Sequence, residues 1–523
     1  MRVGFSSIYS WRPHVEHLIF LARLMRSAGH EVRFLTCDSD LPTCYTRELR
    51  PYARTNCLSC RAGGVRSFER LDVSSIHSFA KTIQDQNSSE WARSSASTIG
   101  RFESNADYDS QHYKELVAKI APAVAVAYSA ALSWIEREKL DAVCVFNGRM
   151  DATRAISEAA KAAGIRFVSL ERTWFGDGLQ LLPDESCLGL ASVDRIVAEW
   201  RDVPLLLNQA TRAAGHVASR FLHSNVKEWQ AYNVGATTLQ WPASGHRRVL
   251  ILPSSRNEFY GHPDWESAWP EVTAAYDALI DRLCLKPEDI VLRCHPNWAR
   301  YIGQNDGSLS TSYYREWAKR RGVTFIEPSA PASTLDLIEQ AEVIVVGGSS
   351  ASLEAGILGK QVVAIAPSTY QAAGFQIRAY SQEEVDRLVL PSDPGESDRV
   401  ARLTLRYAYS MFYRLPQYVP FVRSQTTTRY LYRNGADPDR FADLCRNGVL
   451  KPDDLSFASN DADEDAVLSL IKRGQWENLI DRFRVLETQD LGEELSRRPF
   501  FQAIDRMRNL MPLGHDWRKI AGN

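Results

Sequence analysis

An excess of charge of either sign is missing from this chain: 62 Lys and Arg stand against 64 Asp and Glu, a net charge of −2 over 523 residues. A nucleic-acid binder gathers positive charge to neutralise phosphates, so no nucleic-acid partner is expected. Apolar runs of about 18 residues, the length that spans a bilayer, are also lacking. The nearest, Ile120 to Ile135, is uncharged but short, Ala-rich and interrupted by Pro122, and reads as a packed helix. No apolar segment of secretory type follows Met1, which predicts a cytoplasmic protein with reduced cysteines. A peripheral place at the inner face of the membrane is compatible with that. Hydrophobic residues make up 44% and charged residues 24%, which excludes a largely disordered, collagen-like or coiled-coil chain. The length allows roughly two to four domains.

Cysteine is present but unevenly placed. Four of the nine, Cys37, Cys44, Cys57 and Cys60, fall in one short segment with the spacing C-x6-C-x12-C-x2-C. Clustered thiols ending in CxxC suit a structural zinc site, because Zn²⁺ takes soft ligands in a tetrahedron. An iron–sulfur cluster is the alternative metal reading, and four separately buried thiols the plain one. The segment 37–60 reads as an insertion that a metal would stabilise.

Short β-type runs alternate with amphipathic helices along most of the chain, the signature of parallel sheets with crossover helices. The first series has strands at 2–6, 31–36, 142–146 and 165–170, with helices at 15–28, 120–138 and 151–163. The second has strands at 248–252, 290–294, 323–326, 343–346 and 361–366. The expected fold class is α/β: two doubly wound, Rossmann-like domains facing across a cleft, plus a helical C-terminal tail. Residues 1–240 form the first domain, 247–400 the second and 401–523 the tail.

Doubly wound domains bind ligands at the carboxyl ends of their strands, so the residues there are the candidates. After 343–346 comes Gly-Gly-Ser349-Ser350-Ala-Ser-Leu-Glu354. Glycines admit close approach, and hydroxyls and amides then converge as a phosphate cradle, with Glu354 placed to accept from ribose hydroxyls. After 290–294 come His295, Pro296 and Asn297, and after 248–252 come Ser254, Ser255 and Arg256. In the first half the strand ends carry Asn147, Arg149 and Asp151, then Glu171 and Arg172, while the first strand leads to His14, Glu16 and His17. Paired Arg, carboxylate and aromatic groups suit an anionic, hydroxyl-rich acceptor.

These residues resemble a known family. The second half looks like the donor-binding domain of GT-B glycosyltransferases. His295-Pro296 and Ser349-Ser350 are similar to the HP and SS motifs of bacterial sialyltransferases and Kdo transferases, which hold the phosphate of a CMP-linked sugar. The run from Ala341 to Val363 also resembles the wider GT-B and UDP-GlcNAc 2-epimerase pattern, in which the Glu binds ribose. With Asn147-Gly-Arg, Glu171-Arg, Pro253-Ser-Ser and Arg293-Cys-His-Pro-Asn, the chain is similar to bacterial capsule and surface-polysaccharide biosynthesis proteins over roughly residues 1–430. His14-Val15 and the helix after it resemble a segment of plant-type GT-B enzymes whose His is the catalytic base, although Pro13 stands where those enzymes carry Gly.

The resemblance implies a metal-independent transferase that moves a sugar from a CMP- or UDP-linked donor to a glycan or lipid-linked glycan acceptor. In it His14 is the first candidate base, with Glu16, His17 and Asp151 as rivals. A UDP-sugar 2-epimerase and a non-catalytic nucleotide- or glycan-binding module are the competing readings.

Overall fold

The computed structural model describes the whole chain except residues 51–52, 70, 80–86, 229–235, 243–244, 246, 488–491 and 504–523. Two six-stranded sheets organise it. The first contains β1 (Arg2–Ser7), β2 (Glu31–Thr36), β3 (Val73–Ser75), β4 (Ala142–Phe146), β5 (Arg166–Arg172) and β6 (Leu179–Pro183). The second contains β7 (Val249–Leu252), β8 (Ile290–Arg293), β9 (Thr324–Ile326), β10 (Val343–Val346), β11 (Gln361–Ala364) and β12 (Gln376–Arg378). Their orders are β3-β2-β1-β4-β5-β6 and β12-β11-β10-β7-β8-β9, parallel throughout except for the antiparallel β5–β6 pair. Both orders reverse direction beside the first strand of the domain, between β1 and β4 and between β7 and β10. This is the doubly wound arrangement expected, and it opens a crevice at each reversal.

The elements follow from the residue pattern. β4, β8 and β10 are covered on both faces and read as short, mostly apolar runs (AVCVF, IVLR and VIVV), all buried. The helix His14–Ser27 turns Leu18, Leu21, Ala22 and Met25 inward, each at most 1% exposed. The apolar run at 120–135 belongs to one long helix, Gln111–Glu138, which continues through Pro122. It is long and apolar enough to cross a membrane by length and composition. Here it packs between the helices Ser88–Gly100 and Asp151–Ala162, with Ile120, Val124, Ala127, Ala131 and Trp134 fully buried.

The C-terminal region is helical but also carries a hairpin, β13 (Val422–Ser424) with β14 (Tyr430–Tyr432). It does not hang free. The helix Glu396–Tyr409 packs on the second domain's helix Ala351–Ile357, and the chain then returns to the first domain. There the Tyr432 hydroxyl is hydrogen-bonded with His17 Nδ1 at 2.9 Å, and Phe441 meets Phe5 with ring centroids 6.1 Å apart. The final described helices lie on Leu207–Phe221, where Trp476 stacks on Phe221 at 4.2 Å.

The Cys-rich segment departs from expectation. It folds as two helices, Tyr45–Leu49 and Ala53–Gly63. Cys37, Cys44, Cys57 and Cys60 do line one cavity, beside Ser7 and Tyr9. Among the described residues, however, no three His, Cys, Asp or Glu side chains converge to hold a metal, so neither zinc nor an iron–sulfur cluster is supported. Cys57 and Cys60 sit one turn apart on a helix instead of in a tight turn, and the Cys60 thiol points to the Ile8 carbonyl at 3.6 Å. Burial pushes the Cys37 thiol up to about 11 and raises those of Cys44 and Cys60.

Candidate functional site

The carboxyl edges of the two sheets are tied together by the helix Ser88–Gly100. Arg149, just past β4, donates to Thr98 Oγ1 at 3.2 Å, and the same hydroxyl donates to the carbonyl of Asn257, just past β7, at 3.2 Å. Arg101 reaches the Asn297 and Arg300 carbonyls at 3.3 and 2.7 Å, and Trp265 Nε1 donates to the Leu188 carbonyl at 2.7 Å. The two sets of strand-end loops therefore meet at one domain boundary.

On the second domain, one pocket collects His295, Pro296, Ser349, Ser350 and Glu354 from the ends of β8 and β10. The His295 ring is fixed by the Asn297 amide, which donates to Nδ1 at 3.1 Å. That bond assigns the ring hydrogen to Nε2, a donor for an anion. Burial, with Arg293 and Arg101 nearby, pulls the imidazole down to about 4, so His295 is neutral at pH 7. Ser349 Oγ accepts from the Ala351 amide at 3.2 Å, and Ser350 is exposed at the start of the helix Ala351–Ile357. Glu354 is buried. Its Oε1 accepts from Arg220 Nη1 at 2.9 Å, while Oε2 has no partner. Burial pushes its carboxyl upward against the pull of Arg220.

The loop after β7 divides its labour. Ser254 Oγ is buried without a partner and sits beside Gly347, where a Cβ would come within 3.2 Å of it. Ser255 does not face a ligand: its Oγ accepts from Trp298 Nε1 at 2.8 Å. Arg256 is likewise taken up across the domain boundary. It donates to the Glu103 carbonyl at 3.1 Å and to Asn105 Oδ1 at 2.8 Å, and its guanidinium lies over Tyr108 and Tyr260. Arg256, expected among the donor-binding residues, ties the two domains together, and Ser255, expected there too, braces Trp298 within the second domain. The Asn297 side chain is held by neither domain's described polar groups, whereas its carbonyl anchors Arg101.

On the first domain the reversal crevice between β1 and β4 holds a His–carboxylate pair. His14 Nε2 bonds Glu171 Oε1, and its Nδ1 is buried without a partner. Glu171 is also gripped by Asn147 Nδ2 at 3.0 Å and by the Arg172 amide at 3.1 Å. Burial opposes its charge, but His14, Asn147 and Arg172 outweigh burial and hold the carboxyl below its usual range. Asn147 and Gly148 have φ of 63° and 69°, a left-handed turn that brings the Asn147 amide back to Glu171. Arg172 Nη1 is buried and unpartnered.

Of the rival bases only Asp151 has both side-chain oxygens bonded; Glu16 Oε2 and His17 Nε2 are buried without a partner, as His14 Nδ1 is. Asp151 is fully buried, with one oxygen taking the Tyr9 hydroxyl and the other the Tyr45 amide at 2.7 Å. It fastens the helix Asp151–Ala162 and has no open face. Glu16 pairs with Arg12 one turn back. His17 is fully buried against Tyr430 and Tyr432, and burial with His14 and Arg172 drives its imidazole well below the ordinary value.

Two pocket residues, Arg220 and Asn225, escaped the sequence reading, and Arg293 entered it only as part of a motif. Among the described residues Arg293, 2% exposed, bonds only the carbonyls of Glu327, Ala330 and Ala332 and leaves Nε unpartnered. The carboxylate of Glu327, whose carbonyl it meets, is engaged by Arg315 at 2.7 Å. Arg220 and Asn225 come from the first half of the chain. Only for Arg293 was there a signal, its place two residues before His295.

No family model matches the sequence, and no curated protein matches it. Among solved structures the chain is similar to a KpsC β-Kdo 2,4-transferase of Thermosulfurimonas dismutans, at 15% identity and a TM-score of 0.33, over 65% of this chain and 87% of that one. It is similar to a putative UDP-N-acetylglucosamine 2-epimerase from Listeria monocytogenes at 13% identity and 0.28, over 87% and 99%. It is also similar to the spinosyn rhamnosyltransferase SpnG complexed with thymidine diphosphate at 12% identity and 0.25, over 78% and 96%. These are likenesses of overall arrangement; the chemistry is read from the site's own residues.

Proposed function

We propose that this chain is a glycosyltransferase that moves a sugar from a nucleotide-sugar donor to a glycan acceptor in the assembly of a bacterial surface polysaccharide or glycoconjugate. A CMP-linked ulosonic acid such as Kdo is the favoured donor, and a UDP-sugar the alternative. One observation carries the reading: the two sheets, whose strand-end loops are hydrogen-bonded to one another through the helix Ser88–Gly100, carry two unlike strand-end sites. One is a polar pocket with His295, Ser349, Ser350 and Glu354. The other is a His–carboxylate pair, His14 with Glu171, on the opposite sheet.

In this reading the donor phosphate lies against Ser349, Ser350 and the Nε2–H of His295, with the unpaired charge of Arg293 behind them. Negative charge grows on that phosphate as the glycosidic bond breaks, so fixed donors there lower the barrier. Arg293, His295 and the serines then take the part a divalent cation would play. Glu354 faces the ribose. His14 Nδ1 takes the acceptor hydroxyl's proton, and Glu171 stabilises the imidazolium that results. Arg149 and Arg172 flank this side and suit an anionic acceptor. The enzyme would work in the cytoplasm, and a lipid-linked acceptor would bring it to the inner face of the membrane.

The test is a panel of CMP- and UDP-linked sugars incubated with and without glycan acceptors, with free nucleotide measured by chromatography. The expected result is release that needs acceptor and that His14→Ala abolishes. Release without acceptor would favour the epimerase, and binding without turnover the non-catalytic module.

A further inference from the structure

A second cavity, of about 230 Å³, opens past the carboxyl ends of β7, β10 and β11. It shares no lining residue with the pocket of His295, Ser349 and Glu354. Gly347 and Gly348, the two residues before that pocket's serines, line it with their backbone. Trp265 lies so close to Gly348 that a Cβ there would meet its ring at 2.7 Å. Further aromatic walls come from Phe259, Tyr260, Trp269 and Tyr276.

These rings differ in what they leave free. Trp265 and Phe259 are stacked on each other at 4.4 Å, and Tyr260 is stacked on Tyr108 of the first domain at 3.5 Å. Trp269 is half-buried and meets no other ring among the described residues. Its Nε1 donates to the Ala379 carbonyl at 2.8 Å, which fixes the plane of the indole. Tyr276 is 1% exposed, yet its hydroxyl has no partner. Ser254, expected among the donor-binding residues, lines this cavity, and its Oγ is also buried without a partner. Two buried hydroxyls left unbonded are costly, and a ligand carrying hydroxyls of its own recovers that loss.

The charges narrow the ligand. Glu266 and Glu271 against Arg256 leave the lining with one net negative charge. Arg256 is spent on the Glu103 carbonyl and Asn105 Oδ1. Glu271 accepts from the Asn105 amide at 3.1 Å and from the Tyr313 hydroxyl at 2.8 Å. The exposed Glu266 carboxylate is unpaired among the described residues and repels a phosphate or a carboxylate. A neutral ring with a flat apolar face and hydroxyls at its edge has the matching chemistry.

We infer that this cavity binds a neutral pyranose, its apolar face on Trp269 and its hydroxyls toward Tyr276, Ser254 and Glu266. The site goes beyond the donor reading and does not depend on it. It lets the second domain hold a neutral unit of a glycan apart from the nucleotide.

Ligand-observed NMR titration of the full chain with the methyl glycosides of glucose, galactose, mannose, rhamnose and N-acetylglucosamine tests this. At least one should bind with a roughly millimolar Kd, as suits a single ring in a small cavity. Trp269→Ala should weaken it about tenfold or more. Tyr276→Phe removes only a hydroxyl that bonds nothing in the protein. It should weaken the glycoside about threefold or more and leave the melting temperature unchanged, so it serves as the test even where Trp269→Ala fails to fold. Binding by none of the five overturns the inference, as does a bound glycoside whose affinity Tyr276→Phe leaves intact. Displacement of the glycoside by CMP or UDP also overturns it, since the sugar would then lie in the donor pocket.

Discussion

His216 lies one turn before Arg220 on the helix that reaches the donor pocket. It is 7% exposed, its Nε2 is 3.0 Å from the Tyr413 hydroxyl, and its ring stacks on Phe412 at 4.4 Å. Burial pulls its imidazole from 6.5 down to about 3. In the unfolded chain the group takes a proton as pH falls through 6.5, whereas the folded protein refuses it until about 3. Between those values the unfolded state holds more protons, so this contribution to stability is intact above pH 6.5 and is lost as the solution becomes more acidic. At pH 5 the loss relative to pH 7 comes to about 2 kcal/mol. Glu103, which burial pushes up to about 7, works in the opposite sense, because its folded form binds the proton first. The decisive quantity is therefore a difference between proteins. Urea unfolding at pH 7 and pH 5, followed by tryptophan fluorescence, should show His216→Phe losing about 2 kcal/mol less on acidification than the unaltered protein. Equal losses would refute the reasoning, since His216 would then be free to titrate in the folded state.

Other substitutions probe the two sides of the domain boundary. His14→Asn and Glu171→Gln should each lower turnover by about 10²–10⁴-fold while leaving the nucleotide dissociation constant unchanged, as steady-state kinetics and titration would show. Gly348→Ala would place a Cβ 2.7 Å from Trp265, whose ring is stacked on Phe259, and thermal melting should reveal a loss of about 1–3 kcal/mol. Ser255→Ala strips the acceptor from the buried Trp298 indole and should destabilise by about 1–3 kcal/mol in denaturant unfolding, whereas Ser254→Ala, which breaks no bond, should change little.

Much of the architecture was legible because its carriers are local. β8 and β10 are short apolar runs ended by polar loops, and the helix His14–Ser27 shows its stripe at helical spacing. β6 escaped notice: Leu179–Pro183 pairs antiparallel with β5, and nothing in five mostly apolar residues separates that from a buried turn. The hairpin β13–β14 was hidden for the same reason, since three-residue strands carry no period. Long-range choices were out of reach. Sequence position put Asp151 and Arg149 on one edge, but only packing shows that Asp151 is closed in by Tyr9 and Tyr45. Glu171 reads as an acceptor ligand until it is seen on His14, 157 residues away. The Arg220–Glu354 pair spans 134 residues and crosses the domains, so no local pattern announces it. The CxxC spacing misled because the same interval is one turn of a helix.

The central claim is that the second domain holds the nucleotide of a sugar donor. Titrating the protein with CMP, UDP and TDP, beside His295→Ala and Ser349→Ala, tests it most directly. Binding to the folded state alone raises stability by about 2.7 kcal/mol at a hundredfold excess over Kd, so calorimetry and thermal melting should both register the right ligand. The account predicts that one nucleotide binds and that each substitution weakens it about tenfold or more. A protein that binds none of the three, or variants that bind as tightly as the unaltered chain, would contradict it.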